Sequence, residues 1–288
     1  MKHTPYWIDK KINIRKTNNI KSILHSLSVN TICTEALCPN ISECYQKHQA
    51  TFMILGTICT RSCRFCNVVK GKPGMPDNSE PERIVQAVQR LGLKHVIITS
   101  PTRDDLNDGG ASIFARTVSL LKNLDHPPTI EILIPDFYGN IQAVNKVVAS
   151  KPDIISHNME TVRRLYELRT GADYNRSLNI LSHIKNINTS IAIKSAVMLG
   201  LSETEPEIIE LMNDLLDAGC RYLSIGQYLS PSKHNHPVIK YVTPESFEKY
   251  RDTAIDMGFI HVESGPYVRS SYHGENYLAH PIFHPDTR

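Results

Sequence analysis

Hydrophobic and polar positions follow two periods along this chain, and from about residue 50 onward the two take turns. Apolar runs of strand length recur at Phe52-Met53-Ile54-Leu55 and at His95-Val96-Ile97-Ile98-Thr99-Ser100. Similar runs stand at 129–134, 153–157, 190–197 and 221–226, with a shorter last one at 259–262. Continuous apolar runs of this length, rich in β-branched residues, read as strands buried on both faces of a parallel sheet. Between them lie helical stretches at about 78–92, 110–123, 139–149, 160–168, 175–187, 204–217 and 244–257. The first has a polar start at Asn78, Pro81 near the first turn and Gly92 past the end, which are helix start and stop signals. The best marked is 204–217. Ile208, Ile209, Leu211, Met212, Leu215 and Leu216 form one stripe, Thr204 and Glu207 a capping box, and Gly219 follows the end. Residues 1–30 are basic and Asn-rich, with weak helical periodicity at Ile20, Ile23, Leu24 and Leu27, and are expected to lie over the domain as an extension.

Repetition of strand and helix implies a parallel α/β sheet with right-handed crossovers. Counting the run before Cys59, the pattern gives six βα units. Periodicity alone does not separate an open, partial (β/α)6 TIM-type barrel from a doubly wound sheet. In both, ligands gather at the carboxyl ends of the strands. The cysteine loop that follows the first strand falls at that end.

Composition narrows the setting. The 288 residues are 41% hydrophobic and 21% charged, as in an ordinary globular protein. A net charge of +3 is too mild to argue for nucleic acid, though it permits an acidic partner protein. The first residues carry no apolar leader core, and no apolar run approaches the length of a membrane span. Seven cysteines are an odd number, and six fall within 33–66. Such clustering favours metal ligation in a reducing compartment over a disulfide framework, so the cytoplasm is the expected location.

Cys59, Cys63 and Cys66 follow the first strand at intervals of four and three. Three thiolates on one tight loop can hold three irons of a cubane iron–sulfur cluster, leaving the fourth open as a catalytic metal requires. Zinc sites usually take four ligands as two spaced pairs, and no second C-x2-C exists here. This C-x3-C-x2-C run resembles the signature of the radical S-adenosylmethionine superfamily, whose domains usually have the partial barrel. The resemblance implies that the open iron chelates S-adenosylmethionine and that reductive cleavage releases a 5′-deoxyadenosyl radical. A second triplet, Cys33, Cys38 and Cys44, has a different spacing, so a duplicated motif is not indicated. Alone it reads as an incomplete zinc site; beside the first, another iron–sulfur cluster is the better reading.

Several strand ends carry more polarity than a connection needs. Thr99, Arg103 and Asp104 follow the second strand, Asn158 and Glu160 the fourth, Arg169 lies beyond, and Lys194 is on the fifth. S-adenosylmethionine presents an ammonium, a carboxylate, a sulfonium and a diol, so these seven are candidate contacts. Helix capping is the competing account for Asp108, Asn158 and Ser177. His157 reads as a satisfied core histidine and Cys220 as a small buried hydrophobe.

Near the end comes Arg269-Ser270-Ser271-Tyr272, after Gly226-Gln-Tyr-Leu-Ser-Pro-Ser232. Together with Cys33–Cys44, Ala50–Gly56 and Arg103-Asp-Asp-Leu106, these runs resemble the lipoyl synthase family, from about Trp7 to His273. The resemblance implies two [4Fe–4S] clusters, a radical-generating one on Cys59, Cys63 and Cys66 and an auxiliary one on Cys33, Cys38 and Cys44. It implies a serine oxygen as the auxiliary cluster's fourth ligand, placed at Ser271 with Ser270 the alternative. It further implies insertion of two sulfur atoms at C6 and C8 of an octanoyl group on a lipoyl carrier protein or domain. The auxiliary cluster would be the sulfur source and a low-potential donor of ferredoxin or flavodoxin type the reductant. The competing readings are another sulfur-inserting radical enzyme and a non-catalytic iron–sulfur protein. On this reading the chain divides into an extension at 1–50, the barrel at 51–263 and an extension at 264–288. Two positions depart from the family pattern: Ala196 and Ser202 stand where glycine is expected.

Overall fold

Main-chain hydrogen bonding along one edge after another builds an open eight-stranded sheet, with a small two-stranded one beside it. The computed structural model describes residues 4–10 and 17–278; the parts of the two extensions at 1–3, 11–16 and 279–288 lie outside the described residues. The strands are β1 (Asn30–Thr31), β2 (Thr51–Met53), β3 (Ile58–Cys59), β4 (Val69–Lys70) and β5 (His95–Thr99). They continue as β6 (Thr129–Leu133), β7 (Ile154–Ser156), β8 (Ala192–Leu199), β9 (Tyr222–Gln227) and β10 (His261–Gly265). The main sheet runs β1-β2-β5-β6-β7-β8-β9-β10, and only the β1–β2 pair is antiparallel. Each of β2, β7 and β9 is buried throughout, which is why its sequence is a continuous apolar run rather than an alternation.

The short helices α1 (Asn18–Ser26), α2 (Ile32–Glu35) and α3 (Ile41–Gln46) precede the barrel. Outside the sheet lie α4 (Glu80–Leu91), α5 (Ala111–Lys122), α6 (Ile141–Ala149), α7 (Tyr174–Ile187), α8 (Glu205–Asp217) and α9 (Pro244–Met257). The architecture is therefore an α/β partial (β/α)6 barrel closed by no pairing between β2 and β10. Helix ends follow the sequence signals. Gly92 ends α4 at φ +61, and the Glu207 carboxylate accepts from the Thr204 amide at 2.8 Å at the start of α8. On α8, Ile208, Leu211, Met212 and Leu215 are buried, each stabilising the fold by about 1.5–3 kcal/mol.

One expected helix differs. After β7 the chain does not start a helix at 160. The Glu160 amide donates to Ala196 and its carbonyl accepts from Met198, so it is held as a bridge to β8 with φ +67. Only a 3-10 turn, Arg163–Leu168, follows. Of the two departures, Ala196 lies in the extended backbone of β8, where a methyl group is accommodated. Ser202 is exposed at φ +96, the left-handed region in which glycine is freest. Among the described residues no helix is long and apolar enough to cross a membrane.

Candidate functional site

The cysteine loop is fixed at both ends before it is fixed in the middle. Cys59 closes β3, which pairs with β4, and the Gly71 amide returns to the Cys59 carbonyl at 3.0 Å. A tight turn follows, with the Cys66 amide donating to Cys63. In between, Arg61 is buried and points into the barrel's upper rim. Its guanidinium donates to Asp104 at 2.7 and 2.9 Å and to Asp136 at 3.0 and 2.6 Å. Asp136 also accepts from Arg176 at 2.9 Å. Backbone bonds from Thr60 to Thr102 and from Arg64 to Leu168 complete the attachment. The Arg61 amide lies 3.4 Å from the Cys59 sulfur, a main-chain donor aimed at a ligand-type atom.

Arg61 and Asp136 were not among the expected site residues. They are 75 positions apart, and the one available signal was a basic residue inside a cysteine triplet. Burial opposes the Asp136 charge, but the Arg61 hydrogen bonds and charge hold its carboxyl well below the usual carboxylate range. Arg61→Leu will lower stability by roughly 3 kcal/mol, a fall in Tm of about 6–12 °C in the metal-free chain, because it leaves a buried carboxylate with one partner fewer. A depressed native pKa gives stability that is present above the unfolded value near 4 and is lost as pH falls toward the native one. The Tm difference between parent and variant should therefore shrink below about pH 4.

Above the strand ends is a cavity of about 330 Å³. Cys59, Cys63 and Cys66 line it, and so do Cys33, Cys38 and Ser271. Its walls also include Ile32, Phe65, Val68, Leu133 and Val268, so much of the lining beside the cysteines is apolar. Cys33 and Cys44 lie on α2 and α3, with Cys38 between, and a smaller adjoining pocket is lined by all three together with Ser271. Ser270 is absent from that pocket lining; its hydroxyl donates to the Asn158 side chain at 2.9 Å. The stretch bearing Ser271 is held there by Asn40, which donates to the Tyr267 carbonyl at 2.6 Å, and by Tyr272, which donates to Glu43 at 3.0 Å.

Burial pushes the thiols of Cys33 and Cys44 up to about 12, with neighbouring cysteines adding to it, and that of Cys63 up to about 11. Without a metal these groups stay protonated; a bound cation is what would draw out the thiolates. Among the described residues no three His, Cys, Asp or Glu side chains converge tightly enough to hold a single ion.

Four of the seven expected cofactor contacts line the cavity: Thr99, Asn158, Glu160 and Arg169. Asn158 donates to Glu160 at 3.0 Å, and Arg169 donates to the Asn158 carbonyl at 2.7 Å, so carboxylate and guanidinium are held on one wall. Three are elsewhere. Arg103 is buried against the carbonyls of Leu55 and Gly74 and the Asp105 carboxylate, where it fixes the turn after β2. Asp104 is taken by Arg61. Lys194 lies a layer lower, paired with Glu131 at 3.1 Å, while Ala196 on the same strand face reaches the cavity. His157 is a satisfied core histidine, bonded to the Ile134 carbonyl and Ser177, and Cys220 is fully buried. Asp108 does cap α5, accepting from the amides of Gly110 and Ser112.

The chain is similar to known proteins in sequence and in fold. Residues 53–215 match the Radical SAM superfamily. A lipoyl synthase of Geobacter metallireducens is 53% identical over 273 residues, 95% of this chain and 96% of that one. One from Caldanaerobacter subterraneus is 51% identical over 272 residues, 94% and 95% of the two chains. Among solved structures, Streptococcus suis SuiB bound to precursor peptide SuiA aligns with a TM-score of 0.59 at 12% identity, covering 91% of this chain and 57% of that one. HydG, a maturase of the [FeFe]-hydrogenase, gives 0.57 at 14% identity, covering 87% and 67%. At such identities the likeness concerns the fold.

Proposed function

The chain belongs to the lipoyl synthase family of radical S-adenosylmethionine enzymes, and from that membership we propose that its two cysteine triplets hold two [4Fe–4S] clusters facing one substrate cavity. Family membership makes it a sulfurtransferase that uses iron–sulfur clusters and S-adenosylmethionine, with an octanoylated carrier as substrate and a reductant. In the proposal Cys59, Cys63 and Cys66 hold the radical-generating cluster. Cys33, Cys38, Cys44 and the Ser271 hydroxyl hold the auxiliary one, the sulfur donor. When bound, these groups supply hydrogen abstraction from unactivated methylenes and sulfur for C6 and C8, chemistry that no side chain can provide.

The chain's own residues do the rest. Glu160 and Arg169 offer counter-charges to the cofactor's ammonium or sulfonium and its carboxylate, with Thr99 and Asn158 as neutral hydrogen-bonding partners. Apolar walls align an octanoyl chain and exclude water, so that positioning rather than acid–base catalysis is the protein's contribution. The shared cavity is the observation that carries this reading: residues of both triplets and Ser271 line one space. Ser271 is preferred to Ser270 because it lines the auxiliary pocket while the Ser270 hydroxyl is occupied by Asn158. Serine oxygen is a harder donor than thiolate, which suits an iron that must leave as sulfide is given up.

We assign 1–50 and 264–288 as extensions on a barrel at 51–263, and the cytoplasm as the compartment that keeps the ligand thiols reduced. A ferredoxin- or flavodoxin-type donor would supply the electrons. Anaerobic reconstitution, iron and sulfide counting, and mass analysis of an octanoylated carrier test the proposal. About eight irons per chain and a carrier bearing two added sulfur atoms as the 6,8-dithiol are expected; about four irons with sulfur still inserted would refute the two-cluster reading.

A further inference from the structure

A layer of buried polar side chains lies beneath the cavity, and no step proposed above uses it. Glu131 accepts from Lys194 at 3.1 Å through both oxygens and from Ser156 at 2.5 Å. Both partners of the pair are 0% exposed. A buried ion pair is weak evidence of stability by itself, so its purpose must be sought in what it touches. Its neighbour is Tyr277, also 0% exposed, whose ring centroid lies 3.8 Å from the Lys194 ammonium. The Tyr277 hydroxyl shares a hydrogen bond with Ser224 at 2.7 Å, and its ring meets Tyr222 and His261 edge-on.

Tyr277 comes from the strap that follows β10 and crosses the sheet's concave side. Three residues earlier Gly274 is pressed on β5, where a methyl group would stand 2.7 Å from His95 Nε2 and 2.8 Å from Ile97 Cδ1. At the strap's other end Gly226 on β9 leaves no room either; a methyl there would meet the Val268 carbonyl oxygen at 2.1 Å. Between these two close approaches lies Ser271. The backbone–backbone bonds of the intervening main chain are local turn bonds, Val268 to Gly265 and Tyr272 to Arg269, with no ladder to a strand, and from outside it the Asn40 side chain holds the Tyr267 carbonyl. Segments so bonded open readily unless anchored by side chains.

We propose that Tyr277, seated on the Lys194–Glu131 pair, is a positioning residue that anchors the strap's far end, adding to the Asn40 and Glu43 contacts, and so presents Ser271 to the pocket of Cys33, Cys38 and Cys44. The consequence for the cluster rests on Ser271 being its ligand; the holding of the strap does not. A cation held beneath an aromatic face, out of water, is a strong and directional contact. It also explains why a charged pair is kept where apolar side chains would pack.

Amide hydrogen exchange on the reconstituted full-length protein, followed by mass spectrometry, tests this. In Tyr277→Ala, exchange across 266–273 should rise at least about tenfold while β5 to β9 stay as slow as in the parent. Tyr277→Phe keeps the ring on Lys194 and should remain near the parent. Parent-like exchange of 266–273 in Tyr277→Ala would overturn the proposal. So would a rise shared equally by β5 to β9, which would make Tyr277 a support of the barrel. Sulfur insertion into the carrier by Tyr277→Ala should fall at least about tenfold, with 5′-deoxyadenosine formation kept. Ser271→Ala separates the two readings: parent-level sulfur insertion there removes Ser271 as ligand, and the exchange result still decides the strap.

Discussion

Alanine at Cys59, Cys63 or Cys66 will lower 5′-deoxyadenosine formation from S-adenosylmethionine by about a thousandfold or more, whichever of the three is changed. The loop offers no substitute ligand. Arg61 is committed to two carboxylates, Arg64 and Thr60 donate their amides to neighbouring loops, and the remaining described cysteine outside the two triplets, Cys220, is fully buried on β9's approach. A cluster reduced to two thiolates is lost or cannot present an open iron in the right place, and the reaction has no slower route through a side chain. The variants should remain folded, because these thiols contribute little packing and the loop's attachment runs through Arg61. Product assay under reducing, anaerobic conditions, with circular dichroism as the control for folding, decides it. Parent-rate 5′-deoxyadenosine from any one variant would refute the assignment of that cysteine.

The second large effect divides the site. Cys33→Ala, Cys38→Ala and Cys44→Ala will retain cleavage of S-adenosylmethionine but yield no sulfur-containing carrier, a loss of product by about a hundredfold or more. Ser271→Ala should follow them, while Ser271→Cys is expected to keep the cluster and still fail to insert both sulfur atoms, since a softer ligand releases iron less readily. The reason for separability is structural. Cys59, Cys63 and Cys66 sit on a loop pinned through Arg61 to Asp104 and Asp136. Cys33 and Cys44 lie instead on α2 and α3, with Cys38 between, where Asn40 and Glu43 bond to the C-terminal strap. The link between the two loops is lateral: the Asn67 side chain donates to the Glu35 carbonyl at 2.8 Å. Intact-mass analysis of the carrier alongside 5′-deoxyadenosine measurement checks both halves, and parent-level lipoyl product from Cys38→Ala would reject the sulfur-donor assignment.

Much of this was legible in the chain, for a physical reason. Strand and helix order follows from hydrophobic period and end signals, which are local: the runs at 95–99, 129–133 and 222–227 and the stripe of α8 sit where the pattern put them. The family was legible because two cysteine spacings and Arg269-Ser270-Ser271 are short and chemically specific. Where a residue's surroundings are made by distant segments, the sequence had no purchase. Lys194 and Arg103 carry the charge a cofactor site needs, yet Lys194 is taken by Glu131 and Tyr277, and Arg103 by the carbonyls of Leu55 and Gly74. Glu160 broke an expected helix because β8 claimed its amide and carbonyl.

By itself, then, the sequence determined the order of elements, the parallel α/β class and the six sulfur-bearing positions, because each is set by neighbours within a few residues. Tertiary structure alone decided which charges face the cavity, that Arg61 binds Asp136 across 75 residues, and that Ser271 meets the Cys33–Cys44 pocket from more than 200 residues away. Those pairings depend on how the sheet curves and where the strap crosses it, and a curved sheet brings together side chains whose separation along the chain carries no information about their distance in space.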